Sequence, residues 1–288
     1  MMRKTMNEIE RYHANFLEMY RGLVFRIMDH GEEVEVGEWQ SQDVRDKPHM
    51  VSRELRHVRF ELHSLPVTVE RLQQVIKPNL PWAEDHFQER VSGEPLNPPP
   101  SEAWWPFAVQ GNQEHKNGQQ FSHTYPERFW PKRAGYAAGQ FFRFDEKVSR
   151  SGIRYRYGDL ADVVAQLTKN PLTRQAYLPV WFPEDTGAVA GQRVPCTLGY
   201  RFLLRNGKCD VTYDIRSCDL LRHMPDDVYM ACRLLQWVVG KLQGNGIDCI
   251  ASSLIMNISS LHVFRGDYPR LQKMIEDWEE EETYGTAI

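Results

Sequence analysis

No cysteine precedes Cys196, and none of the five cysteines forms a CxxC pair. That pattern argues against a disulfide framework or a zinc site and fits reduced thiols, so no metal is expected. No apolar run is long enough to span a bilayer. The opening residues, MMRKTMNEIERYHANF, have no apolar core and no small-residue cleavage site. No signal peptide is read there, and a cytoplasmic location is expected. Basic residues are not in excess: 35 Lys and Arg against 39 Asp and Glu leave a formal net charge of −4. A global basic field for DNA or an anionic membrane is missing, so an anionic substrate needs a local arginine cluster. Internal repeats and low-complexity tracts are absent as well.

What is present fits one sizeable domain, expected to span residues 1–288, with 41% hydrophobic and 26% charged residues. Apolar residues at Ile9, Phe16, Leu17, Tyr20, Leu23, Val24 and Ile27 predict a helix over 6–29, stopped by Gly31. Strand-like fragments follow in VEVGEW and VRFELHSL, then a short helix capped by Thr68, then a helical AEDHFQERV. Residues 94–119, rich in proline and tryptophan at first, read as a long loop or a lid. DLADVVAQLTK reads as a helix and 176–181 as a strand. An amphipathic helix runs from Asp227, residues 250–264 are strand-like, and Tyr268–Glu281 is a last helix. Mixed long strands with a few helices predict an α+β fold.

The chain is organised around residues 193–227. Two apolar runs there flank Asn206-Gly207, a strong hairpin signal. Cys196 opens the first run after Pro195, and Arg216-Ser217-Cys218-Asp219 closes the second. A strand cysteine is commonly a small core residue. Arg216, however, is expected across the hairpin from the Cys196 segment, and a nearby guanidinium favours the nucleophilic thiolate. Arg216 with Ser217 makes either a phosphate grip or a surface turn with an ion pair. Arg174 is a second phosphate candidate or a solvated helix-end charge. Asp226-Asp227 is either an N-cap or a carboxylate set against a base edge.

Four ordered segments carry a resemblance: TRQAYLPVW, VPCTLGYRFLLRNGK, YDIRSCDLLRHMPDD and SSLHVFRGDY. Over roughly Thr173 to Tyr268 the chain resembles the thymidylate synthase superfamily, most closely its deoxycytidylate hydroxymethylase branch. The first half matches weakly, at HTYPERFWP and WAEDHFQERVSG. The resemblance implies a large mixed β-sheet flanked by helices, with the sheet forming the interface of a homodimer. It implies a pyrimidine nucleotide substrate, with dCMP foremost, and 5,10-methylenetetrahydrofolate as one-carbon donor. By position, Cys196 resembles the cysteine that adds to C6 of the base. Arg216 and Ser217 resemble phosphate ligands, and Arg174 the arginine lent by the other subunit. Asp219 resembles an aspartate whose backbone contacts the base. His262 and Phe264 stand at sugar-binding positions, and Tyr125 resembles the tyrosine that orders the nucleophile region. Glu84 is the best match to the catalytic glutamate, with Glu89 next; either could instead be a solvent-facing residue or an ion-pair partner of Arg90.

The departures are informative. Thymidylate synthases usually carry His after the nucleophile; Thr197 stands here, as in hydroxymethylases. Asp227 stands where those enzymes carry a uracil-reading Asn, and cytosine-using hydroxymethylases carry Asp. Phe264 lacks the hydroxyl of the usual sugar-binding Tyr, and Gln175 replaces a second partner-lent arginine. The expected reaction is therefore hydroxymethylation of dCMP through a Cys196–C6 adduct, serving DNA modification or secondary metabolism. Methylation of dUMP, hydroxymethylation of CMP and a nucleotide-binding relative without activity are the competing expectations.

Overall fold

The computed structural model describes residues 11–13, 15–39, 42–106, 116–117, 120–137, 158–186 and 194–285. Parts of two expected features lie outside them: 6–10 and 14 of the first helix, Ile9 included, and 107–115 and 118–119 of the loop over 94–119. In chain order the helices are α1 (Phe16–His30), α2 (Val69–Ile76), α3 (Trp82–Val91), α4 (Tyr125–Phe129), α5 (Pro131–Ala137), α6 (Leu160–Lys169), α7 (Pro183–Thr186), α8 (Met224–Gly244) and α9 (Tyr268–Gly285). The strands are β1 (Arg11–His13), β2 (Glu32–Val34), β3 (Glu38–Trp39), β4 (Gln42–Asp43), β5 (Ser52–Leu62), β6 (Lys116–Asn117), β7 (Gln120–Phe121), β8 (Tyr177–Pro179), β9 (Thr197–Arg205), β10 (Lys208–Asp219) and β11 (Ile250–Phe264).

One mixed sheet in the order β1-β5-β11-β10-β9-β8 dominates, with β2 added beside β5. Its centre is the β9–β10 hairpin. Asn206 and Gly207 both take positive φ, 53° and 71°, the conformation a two-residue hairpin turn with right-handed strand twist requires. β11 then lies parallel to β10, so the chain must cross the sheet between them, and α8 makes that crossing. Val228, Ala231, Leu234, Leu235, Val238 and Leu242 of α8 are buried, and the helix packs on β10 and β11. Each such leucine or valine contributes ~1.5–3 kcal/mol by leaving water. Val211, Tyr213 and Ile215 of β10 are buried while Thr212 and Asp214 alternate with them half-exposed. On the half-exposed set Arg201 pairs with Asp214 at 3.3 Å, and Asn257 donates to Asp214 at 2.7 Å.

Several expected boundaries move. α1 begins at Phe16, where the Asn15 side chain accepts from Glu18 N–H and caps it, and Gly31 follows its end as expected. The strand expected over 176–181 contracts to Tyr177–Pro179, because Pro179 has no N–H to continue the ladder. α8 begins at Met224, one residue before Pro225, so Asp226 and Asp227 lie inside its first turn and neither is the N-cap.

Candidate active site

Cys196 sits half-buried just before β9, and the hairpin brings Arg216 back to it. The Arg216 backbone N–H donates to Cys196 O at 2.9 Å. Its guanidinium donates from Nε to Pro195 O (3.0 Å) and from Nη2 to Val194 O (3.3 Å), and Nη2 lies 3.9 Å from Cys196 Sγ. Arg216 therefore clamps the turn that carries Cys196 and places positive charge beside its sulfur. A guanidinium has five N–H donors, so those of Nη1 are left for an anionic ligand. Its outer face lies over the Trp181 ring at 5.7 Å. Ser217 follows on β10, level with Ser260 of β11, and its hydroxyl makes no hydrogen bond to a described residue.

Behind the cysteine, a chain of hydroxyls runs into the protein. The buried Thr197 hydroxyl donates to Tyr125 OH at 3.2 Å and lies 2.9 Å from Tyr213 OH. Tyr213 reaches Asp227 at 3.5 Å, and the Cys218 thiol lies 3.7 Å from the other Asp227 oxygen. The Tyr200 ring stacks on Tyr213 at 4.6 Å and seals this side. Asp227 thus has two weak donors and no ion pair to a described residue. Burial pushes its carboxyl up to about 7, with the Arg90 charge opposing the rise. The site holds a carboxylic acid near its titration point at neutral pH, linked through the Tyr213 hydroxyl to Thr197, the residue after Cys196.

Asp219, at the end of β10, accepts from Leu221 and Arg222 N–H at 3.1 and 2.9 Å. Its side chain shapes the turn into α8, which fits a contribution to ligand binding through backbone rather than carboxylate. His262 lies level with Asp219 on β11, and burial lowers its imidazole to about 4, so it is neutral at pH 7. Phe264 is buried, with its ring edge-on to His262 and the Arg222 guanidinium 5.4 Å above it.

Three expected residues are not part of this cluster. Glu84 lies on the flank of α3 that faces α8. Its carboxylate accepts from Arg233 at 2.8 and 3.0 Å and from the Tyr229 hydroxyl. Burial opposes its charge, but the bonds from Arg233 and Tyr229 hold it below the usual carboxylate range. The reason is helical rotation: Trp82, Ala83, His86, Phe87 and Arg90 point inward, and position 84 does not. Glu89 is also committed, to Ser101 N–H at 2.6 Å, to its hydroxyl, and to His86 at 3.3 Å, which ties the 100–104 turn onto α3. Neither pairs with Arg90; the ion pair forms with Arg233 instead. Arg174 is exposed, without a hydrogen bond or ion pair to a described residue. Ala176 O accepts from Phe202 N–H, which places Arg174 beyond the middle of β9, away from Cys196. At ~3.3 Å per residue the separation along the strand is roughly 20 Å or more.

Sequence reasoning gave no site role to Arg90, Tyr213, Cys218 or the aromatic wall. That wall runs from Tyr125 to His86 (6.3 Å, edge-on), Trp82 (5.1 Å, stacked), Trp105 (6.3 Å) and His223 (6.0 Å, stacked). The usable signal was Arg90 at an inward position of an amphipathic helix, where charge is rarely placed without a purpose.

With the geometry in place, the thymidylate synthase family model matches residues 18–284. The chain belongs to the thymidylate synthase family. A curated relative from Methanococcoides burtonii, provisionally named a thymidylate synthase, is 27% identical over 162 residues, 56% of this chain and 61% of the relative. One from Methanosarcina acetivorans, named in the same way, is 26% identical over the same shares. The match thus spans about three fifths of the length of these relatives. The thermostable thymidylate synthase A of Bacillus subtilis aligns with a TM-score of 0.60 at 17% identity, covering 90% of this chain and 83% of that one. Its fold, a mixed sheet flanked by helices, is the fold of this family member. No helix among the described residues is long and apolar enough to cross a membrane.

Proposed function

We propose that this family member transfers a one-carbon unit to C5 of a cytosine nucleotide, dCMP, and leaves it as a hydroxymethyl group. The observation that carries the reading is Asp227, a half-buried acid with weak partners whose carboxyl is pushed up to about 7. Cytosine offers an N4 amino donor beside N3, an acceptor that can take a proton. A carboxyl facing that edge shares one proton with N3 and accepts from N4, a charge-assisted pair that uracil cannot form because its N3 already bears hydrogen. Protonation at N3 also draws electrons from C6, the atom the Cys196 thiolate attacks. The new S–C6 bond pushes the ring electrons to C5, which becomes the nucleophile.

Methylenetetrahydrofolate would supply the one-carbon unit at the oxidation level of formaldehyde, so water completes a hydroxymethyl product without any hydride. The Trp82, Trp105 and His223 rings suit a flat heteroaromatic donor beside the base. Arg216 and Ser217 hold the phosphate and so fix C6 over sulfur. His262 is the sugar contact. Glu84 receives no water-ordering role in this account. Arg174 serves a partner subunit, a role favoured by its exposure and its distance from its own Cys196; the half-exposed face of the sheet is the proposed homodimer contact.

A second reading, CMP in place of dCMP, is favoured by one observation. Phe264 has no hydroxyl and is buried under Arg222, leaving His262 to read the sugar. Purified protein incubated with dCMP, CMP or dUMP and methylenetetrahydrofolate decides between them by product mass. Hydroxymethyl-dCMP as main product is expected. Methylated dUMP would overturn both the base and the product assignment.

A further inference from the structure

Two other arginines of low exposure among the described residues are paired. Arg128 makes two bonds to Asp185, at 3.0 and 2.8 Å, and Arg233 makes two to Glu84. Arg90 is different. It is 4% exposed, and its guanidinium makes no hydrogen bond or ion pair to a described residue. Its Nε is fully enclosed and has no acceptor. The guanidinium instead lies flat over the Tyr125 ring, 3.9 Å from the centroid. Trp130 Nε1 donates to Arg90 O at 2.8 Å and fixes the end of α3 that presents it. A buried cation without an acceptor costs several kcal/mol, and a methionine or leucine of similar length would avoid that cost. Tyr125 receives the Thr197 hydroxyl bond, and Thr197 follows Cys196, so the orphan charge lies one ring and one hydroxyl from the nucleophile.

We propose that Arg90 is a positioning residue of this site, its unpaired guanidinium held on Tyr125 to face Asp227 and, once Cys196 has added, the negative charge gathered by the pyrimidine. The second half of that statement rests on the cytosine-transfer reading; the first half does not. The groups that face Asp227 are Arg90 of α3, Tyr125 of α4, Tyr200 of β9, Tyr213 and Cys218 of β10, and its neighbour Asp226. Among the described residues, Arg90 is the cation whose charge acts on Asp227. Ring stacking spends no N–H donor, which leaves the guanidinium edge free for carbonyl or anionic oxygen.

The test compares Arg90→Lys and Arg90→Met. Two readouts are used: the pH profile of kcat/KM with dCMP, and the carboxyl NMR titration of Asp227 in the protein alone. The Arg90 charge opposes protonation of Asp227. The Met variant should therefore raise the Asp227 midpoint and the alkaline limb of the profile by about one pH unit. It should lower kcat by on the order of 10- to 100-fold, more than it raises KM. The Lys variant, which keeps the charge, should hold the midpoint near its normal place and recover most of the rate. An unmoved Asp227 midpoint in a folded Met variant overturns the proposal. If the Met variant does not fold, the Lys variant decides: a midpoint displaced upward by a pH unit or more overturns it. A normal protein that makes no product removes the cytosine-transfer reading, while the NMR titration still judges the pairing of Arg90 with Asp227.

Discussion

Asp226 and Asp227 are adjacent and both lie in the first turn of α8; Asp226 is buried and Asp227 half-buried. Their surroundings are opposite. Asp226 accepts from Asn79 N–H and from the Asn79 amide, each at 2.8 Å, which pins the segment before α3 to α8. Asp227, 100° further around the helix, meets a tyrosine hydroxyl at 3.5 Å and a thiol at 3.7 Å. One carboxylate is satisfied by the fold, and the other is left wanting a partner. Unsatisfied buried acids are costly, so the second is where a ligand with the right hydrogen-bond pattern gains most.

The largest expected effect fixes the frame for that comparison. Cys196→Ala should reduce turnover by about 10⁴-fold or more while nucleotide binding by calorimetry survives. Retained turnover would remove the covalent route and with it any role for Asp227 in promoting attack at C6. Next, Asp227→Asn should lower turnover of dCMP by on the order of 10²- to 10³-fold.

The same Asn variant should be more stable than the normal protein at neutral pH. The folded carboxyl of Asp227 titrates at about 7, above its ordinary 3.8. The folded state thus holds the proton more tightly, and its stability falls as pH rises from about 4 to 7, then levels. Removing the acid abolishes that loss, a gain of at most about 4 kcal/mol at pH 8 that vanishes near pH 4. Denaturant unfolding at the two pH values measures it; a gain independent of pH would contradict the buried-acid account.

Asp226→Ala should do the reverse, losing ~1–3 kcal/mol of stability with kcat within a few-fold of normal. A kcat loss matching that of Asp227→Asn would erase the distinction between the two acids. Smallest of all, Glu84→Gln should cost ~1–2 kcal/mol by weakening the Arg233 pair and leave kcat nearly unchanged. A collapse of kcat with stability intact would return Glu84 to the reaction.

The sequence made some of this legible and concealed the rest for identifiable reasons. Asn206-Gly207 announced the hairpin, so the return of Arg216 toward the Cys196 segment could be anticipated, but the bulge between Asp214 and Ile215 that sets Arg216 level with Cys196 could not. The apolar spacing of α8 was equally plain. The engagement of Glu84 by Arg233 depends on α8, distant in sequence, and nothing local in α3 encodes it. The split between Asp226 and Asp227 depends on Asn79, distant in sequence, and no local pattern encodes it. Arg90 was noticed only as an ion-pair partner, since nothing in the sequence says that a buried arginine will stay unpaired.

The central claim is that Asp227 selects cytosine, and a competition assay tests it most directly. Equal dCMP and dUMP are offered together with methylenetetrahydrofolate, and the two products are quantified by mass for the normal protein and for Asp227→Asn. The account predicts that the normal protein favours dCMP by on the order of 100-fold and that the Asn variant turns toward dUMP. A normal protein that prefers dUMP, or a product ratio unchanged by the substitution, would contradict it.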